Sequence, residues 1–170
     1  MSVEQFDLVA TGGTFDEIHD GHRALLTKAF KVGKCVLIGI STDKFAVLKK
    51  GKSKIRHPFE VRVNKLAKFI VDEFGDVNFV IKELNDDFGP TSTDSNVQAL
   101  IVSEETETKG HEINRIRSSN RLSPLKIITV PMLKAEDGQP LSSTRIRSGE
   151  IDMKGRMLKK KHNIECHLLL

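Results

Sequence analysis

The 170-residue sequence predicts one α/β domain, an open sheet of five parallel strands with helices on both faces. Two observations carry this. Strand-sized apolar runs alternate with helical periods along the whole chain. The runs are apolar on both faces, as in residues 34–40 (KCVLIGI), which marks strands buried between two layers. Ligands of such sheets bind beyond the carboxyl ends of the strands.

The elements follow in order. Residues 6–10 read as the first strand. Residues 11–22, TGGTFDEIHDGH, form a glycine-rich turn carrying His19 and His22. Residues 23–32 read as a helix with Ala24, Leu25, Leu26, Ala29 and Phe30 on or near one face. The second strand is 34–40. A short helix over 43–48 is capped by Ser41 or Thr42. A basic loop over 49–57 comes next, containing Lys49, Lys50, Lys52, Lys54 and Arg56.

Pro58 opens a helix whose apolar period (Val61, Leu66, Phe69, Ile70, Phe74) runs to Gly75. The third strand is 77–81. A long polar loop over 84–94 is functional or disordered by its length alone. The fourth strand is 99–102, a helix covers 106–120, and the fifth strand is 125–130. After a loop with Glu136, Asp137, Gly138 and Pro140, the segment SSTRIR at 142–147 starts another helix. Residues 1–152 make the domain. Residues 153–170 form a basic helix or tail of the same domain.

Composition sets further limits. The net charge of +4 suits an anionic small substrate and does not by itself exclude weak nucleic-acid binding. Phe is the only aromatic residue, so material for stacking bases is scarce. Cys35 and Cys166 form no CxxC; Cys35 is expected in the core and a reducing, cytoplasmic setting is expected. No signal peptide and no membrane span are expected. His162, Cys166 and His167 are weak metal candidates, and no metal site is expected.

Two motifs carry the chemistry. Gly12 and Gly13 let the backbone approach a ligand closely. The helix after the turn offers free N–H groups to a phosphate, with two imidazoles beside it. The hydroxyls of Ser142, Ser143 and Thr144 lie at a second helix start. Gly51-Lys52-Ser53 mimics the end of a P-loop, but Ala46 replaces its first glycine.

The stretch from Thr14 to His22 resembles the TFDxxHxGH signature of the HxGH nucleotidyltransferase superfamily. Ser142-Ser143-Thr144-Arg145-Ile146-Arg147 is similar to its second signature, ISSTxIR. The doubled glycine, Gly89-Pro90 with Asp94, and Ser103-Glu104-Glu105-Thr106 followed by Gly110, Ile113, Asn114, Arg115 and Arg117 resemble the archaeal and eukaryotic phosphopantetheine adenylyltransferases. The resemblance spans about residues 5–150.

It implies a Rossmann-like strand order of 3-2-1-4-5. It also implies transfer of the adenylyl group of ATP, bound with Mg²⁺, to 4′-phosphopantetheine, giving dephospho-coenzyme A and pyrophosphate. Catalytic roles fall on His22, His19 and Thr14, with Lys54 as the bridging cation, or else Lys52; Lys44 and Lys49 stay open. Gly13, Thr14, Phe15, Gly21, His22, Ser142, Ser143, Thr144 and Arg145 are the expected binding residues. Arg115, and with it Arg117, joins them in place of two arginines that bacterial relatives carry after the fourth strand. The expected partners are these small molecules alone, with no membrane or specific nucleic acid; homo-oligomerisation is left open. Competing readings are another enzyme of the superfamily, acting on nicotinamide mononucleotide, FMN or a cytidylyl acceptor, and a non-catalytic nucleic-acid-binding module.

Overall fold

A computed structural model describes residues 4–51 and 55–158. Lys52, Lys54 and the tail from Lys159 onward, with Cys166, lie outside the described residues. The sheet is β1 (Phe6–Gly13), β2 (Gly33–Ser41), β3 (Phe79–Leu84), β4 (Ala99–Ser103) and β5 (Lys126–Val130). All neighbours pair in parallel, in the order β3-β2-β1-β4-β5. The helices are α1 (Asp20–Val32), α2 (Asp43–Lys50), α3 (Phe59–Phe74), α4 (Glu107–Ser119) and the short α5 (Ser143–Arg147).

The strands alternate two-sided burial, as their unbroken apolar runs require. Val9, Val36, Ile38, Ile40, Ala99 and Ile101 face one layer, packed with Leu25, Leu26 and Ala29 of α1 and Leu66 and Ile70 of α3. Ala10, Leu37, Leu100 and Val102 face the other, packed with Ile113 of α4. Cys35 has a free thiol and is half-buried rather than fully in the core.

Several boundaries differ from expectation. β1 continues through Thr11 to Gly13, because Gly12 pairs with Gly39; a Cβ on Gly12 would approach the Gly39 carbonyl oxygen to 3.2 Å. α1 begins at Asp20, since His19 caps it. α2 runs to Lys50 and stops at Gly51, whose φ of 85° an L side chain rarely adopts. Lys49 and Lys50 are therefore helical. β3 is shifted toward the polar loop and ends at Leu84.

That polar loop is ordered by its own side chains. Asp86 Oδ1 accepts from the N–H groups of Phe88 and Gly89 at 2.8 and 2.7 Å. From the other side, Arg117, only 1% exposed, donates to the carbonyls of Thr91 and Asp94 at 2.7 and 2.8 Å. Among the described residues, no helix is long and apolar enough to cross a membrane.

Candidate active site

The site is built where β1 ends. Gly13 leaves room for the Phe15 ring, which a Cβ there would meet at 3.3 Å. Phe15 is fully buried and holds a φ of 51°, a conformation rare outside glycine. Such strain persists where surrounding structure over-determines it. Here Arg62 of α3 does so. Its guanidinium, 0% exposed, donates to the carbonyl of Thr14 at 2.7 Å, the carbonyl of His57 at 3.0 Å and Asp43 Oδ1 at 2.8 Å.

The two histidines form a reciprocal cap at the start of α1. His19 Nδ1 accepts from the Gly21 N–H at 3.1 Å, and His22 Nδ1 accepts a longer bond from the His19 N–H at 3.4 Å. An Nδ1 that accepts leaves the ring proton on Nε2. Both imidazoles therefore keep an Nε2–H donor for a ligand. The rings lie 4.0 Å apart between centroids, and His22 also packs on Phe15 at 4.9 Å.

Burial pushes His19 down to about 4, aided by Lys50 and opposed by Asp20. His22 keeps some solvent contact, yet burial drives it well below the ordinary histidine value, with His19 and Lys50 adding to the effect. Both rings are neutral donors at neutral pH. Gly21 follows from the same cap: a Cβ would come within 2.9 Å of the His19 ring.

Asp16 ties the site together. Its side chain accepts from the N–H groups of Arg56 and His57 at 3.0 and 2.9 Å and from Arg147 Nη1 at 3.1 Å. Burial works to raise its pKa, but these donors and the Arg147 charge outweigh burial and lower it. Next to it, Ser143 Oγ donates to the Glu17 carbonyl at 3.2 Å. Ser142 caps α5 by accepting from the Arg145 N–H, and Thr144 Oγ1 accepts from Arg147 at 3.2 Å. The second motif is thus docked onto the first.

A described cation whose charge acts on both imidazoles is Lys50. Its surface is largely open to solvent, yet the protein packed beneath it and then the Arg147 guanidinium lower its pKa, against the pull of Asp16 and Glu105.

The expected site residues thus divide. Gly13, Thr14, Phe15, His19, Gly21, His22, Ser142, Ser143 and Thr144 come together. Arg145 is turned away, its guanidinium held by Asp137 and Glu150. Arg115 is exposed on α4, and Arg117 is spent on loop carbonyls. Sequence reasoning left the cation open between Lys44 and Lys54 without singling out Lys50, and missed Asp16 and Arg62 as organisers. Asp16 lay within the quoted motif, and Arg62 lay four residues after Pro58.

Two grooves flank the start of α1. One, of about 360 Å³, lies beneath the turn between Asp16, Ile18, His19, Phe69 and Met153. The roomier one, about 550 Å³, runs from Asp20 and Arg23 along α1 to Pro131 and Leu133, away from the imidazole donors. Among the described residues, no group of three or more His, Cys, Asp or Glu side chains is arranged to hold a metal. Asp16, the carboxylate at the centre, is already saturated by its donors. The described residues therefore present no preformed cage for Mg²⁺.

Comparison with known proteins establishes the family. The cytidylyltransferase-like family matches residues 10–149, which contain both motifs. The phosphopantetheine adenylyltransferase of Methanothermobacter thermautotrophicus is 44% identical over 156 residues, covering 92% of each chain. The chain belongs to the phosphopantetheine adenylyltransferase family. A second relative in this family, from Thermococcus kodakarensis, is 40% identical and covers 94% of this chain and 96% of its own. Among solved structures, a protein of unknown function from Archaeoglobus fulgidus aligns with a TM-score of 0.66 and 26% identity, over 74% of this chain and 89% of that one. The family's expected fold and strand order are those observed.

Proposed function

We propose that the site joins ATP and 4′-phosphopantetheine to give dephospho-coenzyme A and pyrophosphate, as an adenylyltransferase of coenzyme A synthesis. The observation that carries the reading is the docking of the second motif on the first, through Arg147 on Asp16 and Ser143 on Glu17. Two phosphate-binding motifs held edge to edge suit a reaction between two phosphates.

A phosphate oxygen of phosphopantetheine attacks the α-phosphorus of ATP. One P–O bond forms, the bond to the β-phosphate oxygen breaks, and pyrophosphate leaves with that electron pair. No protein nucleophile is needed. The chain contributes position and charge. Neutral His22 and His19 donate from Nε2 to oxygens of the α-phosphate as charge gathers there. Because neither ring is protonated, each stabilises by hydrogen bonding without acting as a proton source.

Thr14 lies at the acceptor phosphate, and the backbone and hydroxyls of Ser142, Ser143 and Thr144 at the β- and γ-phosphates. Lys50, or Lys54 beyond it, spans the two substrates. Mg²⁺ would accompany ATP and offset the charge of its phosphates; the described residues group no carboxylates or imidazoles to hold it on their own.

The test is direct. Incubation with MgATP should release pyrophosphate only when 4′-phosphopantetheine is present, mole for mole with dephospho-coenzyme A. Pyrophosphate release without that product would overturn the reading.

A further inference from the structure

Lys49, in the last turn of α2, and Lys109, near the start of α4, both donate to the same oxygen, Oδ1 of Asp87. The three groups come from segments that follow β2, β3 and β4, so the cluster lies across the carboxyl ends of the sheet. It is half-buried: the side chains are 34%, 38% and 36% exposed for Lys49, Lys109 and Asp87.

Three features set it apart from an ordinary surface pair. Two ammoniums against one carboxylate leave the cluster itself net positive, with Glu112 a further, more distant negative charge acting on Lys109. Lys109 stands near the positive end of α4, where a cation is disfavoured, so helix stability does not account for it. And the backbone that carries Asp87 is ordered: Asp86 caps the N–H groups just after it, and Gly89 takes a φ of 51° where a Cβ would collide with Leu84. Lys49 is also next in sequence to Lys50, whose charge reaches both imidazoles.

We infer that Lys49 and Lys109 form a binding site for a substrate phosphate group, with Asp87 as its internal counter-ion, displaced when that group arrives. The inference rests on the adenylyltransferase reading for its substrates. The sign of the effect follows from charge. The exposed ion pairs themselves are worth little, so losing the tether costs little. Removing the negative charge raises the local field felt by an incoming anion, and Coulomb attraction decides the outcome.

The test is calorimetric titration of ATP, pyrophosphate and 4′-phosphopantetheine into the full chain at low ionic strength. Asp87→Asn should tighten at least one of them about three- to tenfold, with the gain shrinking as salt is added. The double variant Lys49→Gln/Lys109→Gln should weaken the same ligand by a similar factor. Asp76→Asn, before β3 at the opposite end of the sheet, should change nothing. A response to ATP and pyrophosphate assigns the triphosphate; a response to phosphopantetheine alone assigns the monoester. Unchanged or weaker binding of all three ligands by a folded Asp87→Asn variant, or no loss in the lysine variant, overturns the proposal. Binding is read without turnover. A normal charge response in a protein that makes no dephospho-coenzyme A would therefore sink the adenylyltransferase reading alone.

Discussion

Arg147 Nη1 donates to Oδ2 of Asp16 at 3.1 Å across 131 residues of sequence. The Asp16 side chain is 1% exposed and that of Arg147 11%. This buried pair joins the two motifs, and the remaining donors to Asp16 bring in the segment before α3.

Asp16→Ala should therefore act on stability and activity together. It strands the N–H groups of Arg56 and His57 and the Arg147 guanidinium. A loss of about 2–4 kcal/mol is expected in urea unfolding. The kcat should fall further than occupancy by folded protein explains. Asp16→Asn, which keeps some acceptors, should lie between.

His22→Ala should lower kcat by about 10² or more, because it removes a donor used in the transition state. The circular dichroism spectrum should be unchanged. A variant with near-normal kcat would remove His22 from the mechanism.

The neutral imidazoles make a pH prediction. Neither ring protonates above about pH 6.5, so kcat/KM should not respond to histidine titration between there and pH 8. On the acid side the unfolded chain takes up protons first, near the ordinary histidine value of 6.5, while folded His19 resists until about 4. Stability should therefore fall as pH drops through that window. Asp16 adds its own loss only below the ordinary aspartate value of 3.8, because its pKa is lowered. Urea midpoints across a pH series check both signs.

Gly21→Ala separates stability from function. Alanine favours a helix interior over glycine by roughly 0.5–1 kcal/mol, a gain that the disturbed His19 cap offsets by a similar amount, so the thermal midpoint should stay nearly unchanged. The new Cβ displaces the His19 ring from 2.9 Å, so kcat should drop about tenfold. A parallel fall in both would point to simple misfolding.

Lys50→Gln should lower kcat/KM about tenfold or more if this lysine spans the substrates. Lys54→Gln provides the comparison. A large effect at Lys54 with none at Lys50 would move the role to the position that the sequence favoured.

The layers and strand order were legible because the strands are apolar on both faces and the helices keep their periods. The two motifs were legible because each is local. What could not be read depends on distant partners. Arg62 and Arg117 look like surface cations, yet both are buried to capture carbonyls that lie 48 and 26 residues away. Asp16 stood inside the motif, but its donors come from as far as 131 residues away. The lysines at 49 and 50 read as the start of the basic loop that holds the bridging cation, because helix propensity is weak beside a charge run; Gly51 sets the actual stop of α2. Conversely, Arg145 sits in the motif but is claimed by Asp137 and Glu150, acids whose approach no local pattern announces.

The central claim is the identity of the phosphate acceptor, and kcat/KM with saturating MgATP across a panel of acceptors measures it. The account predicts that 4′-phosphopantetheine exceeds nicotinamide mononucleotide and FMN by about 10³ or more, a difference of about 4 kcal/mol in transition-state binding. Equal or greater turnover of either competitor would contradict it.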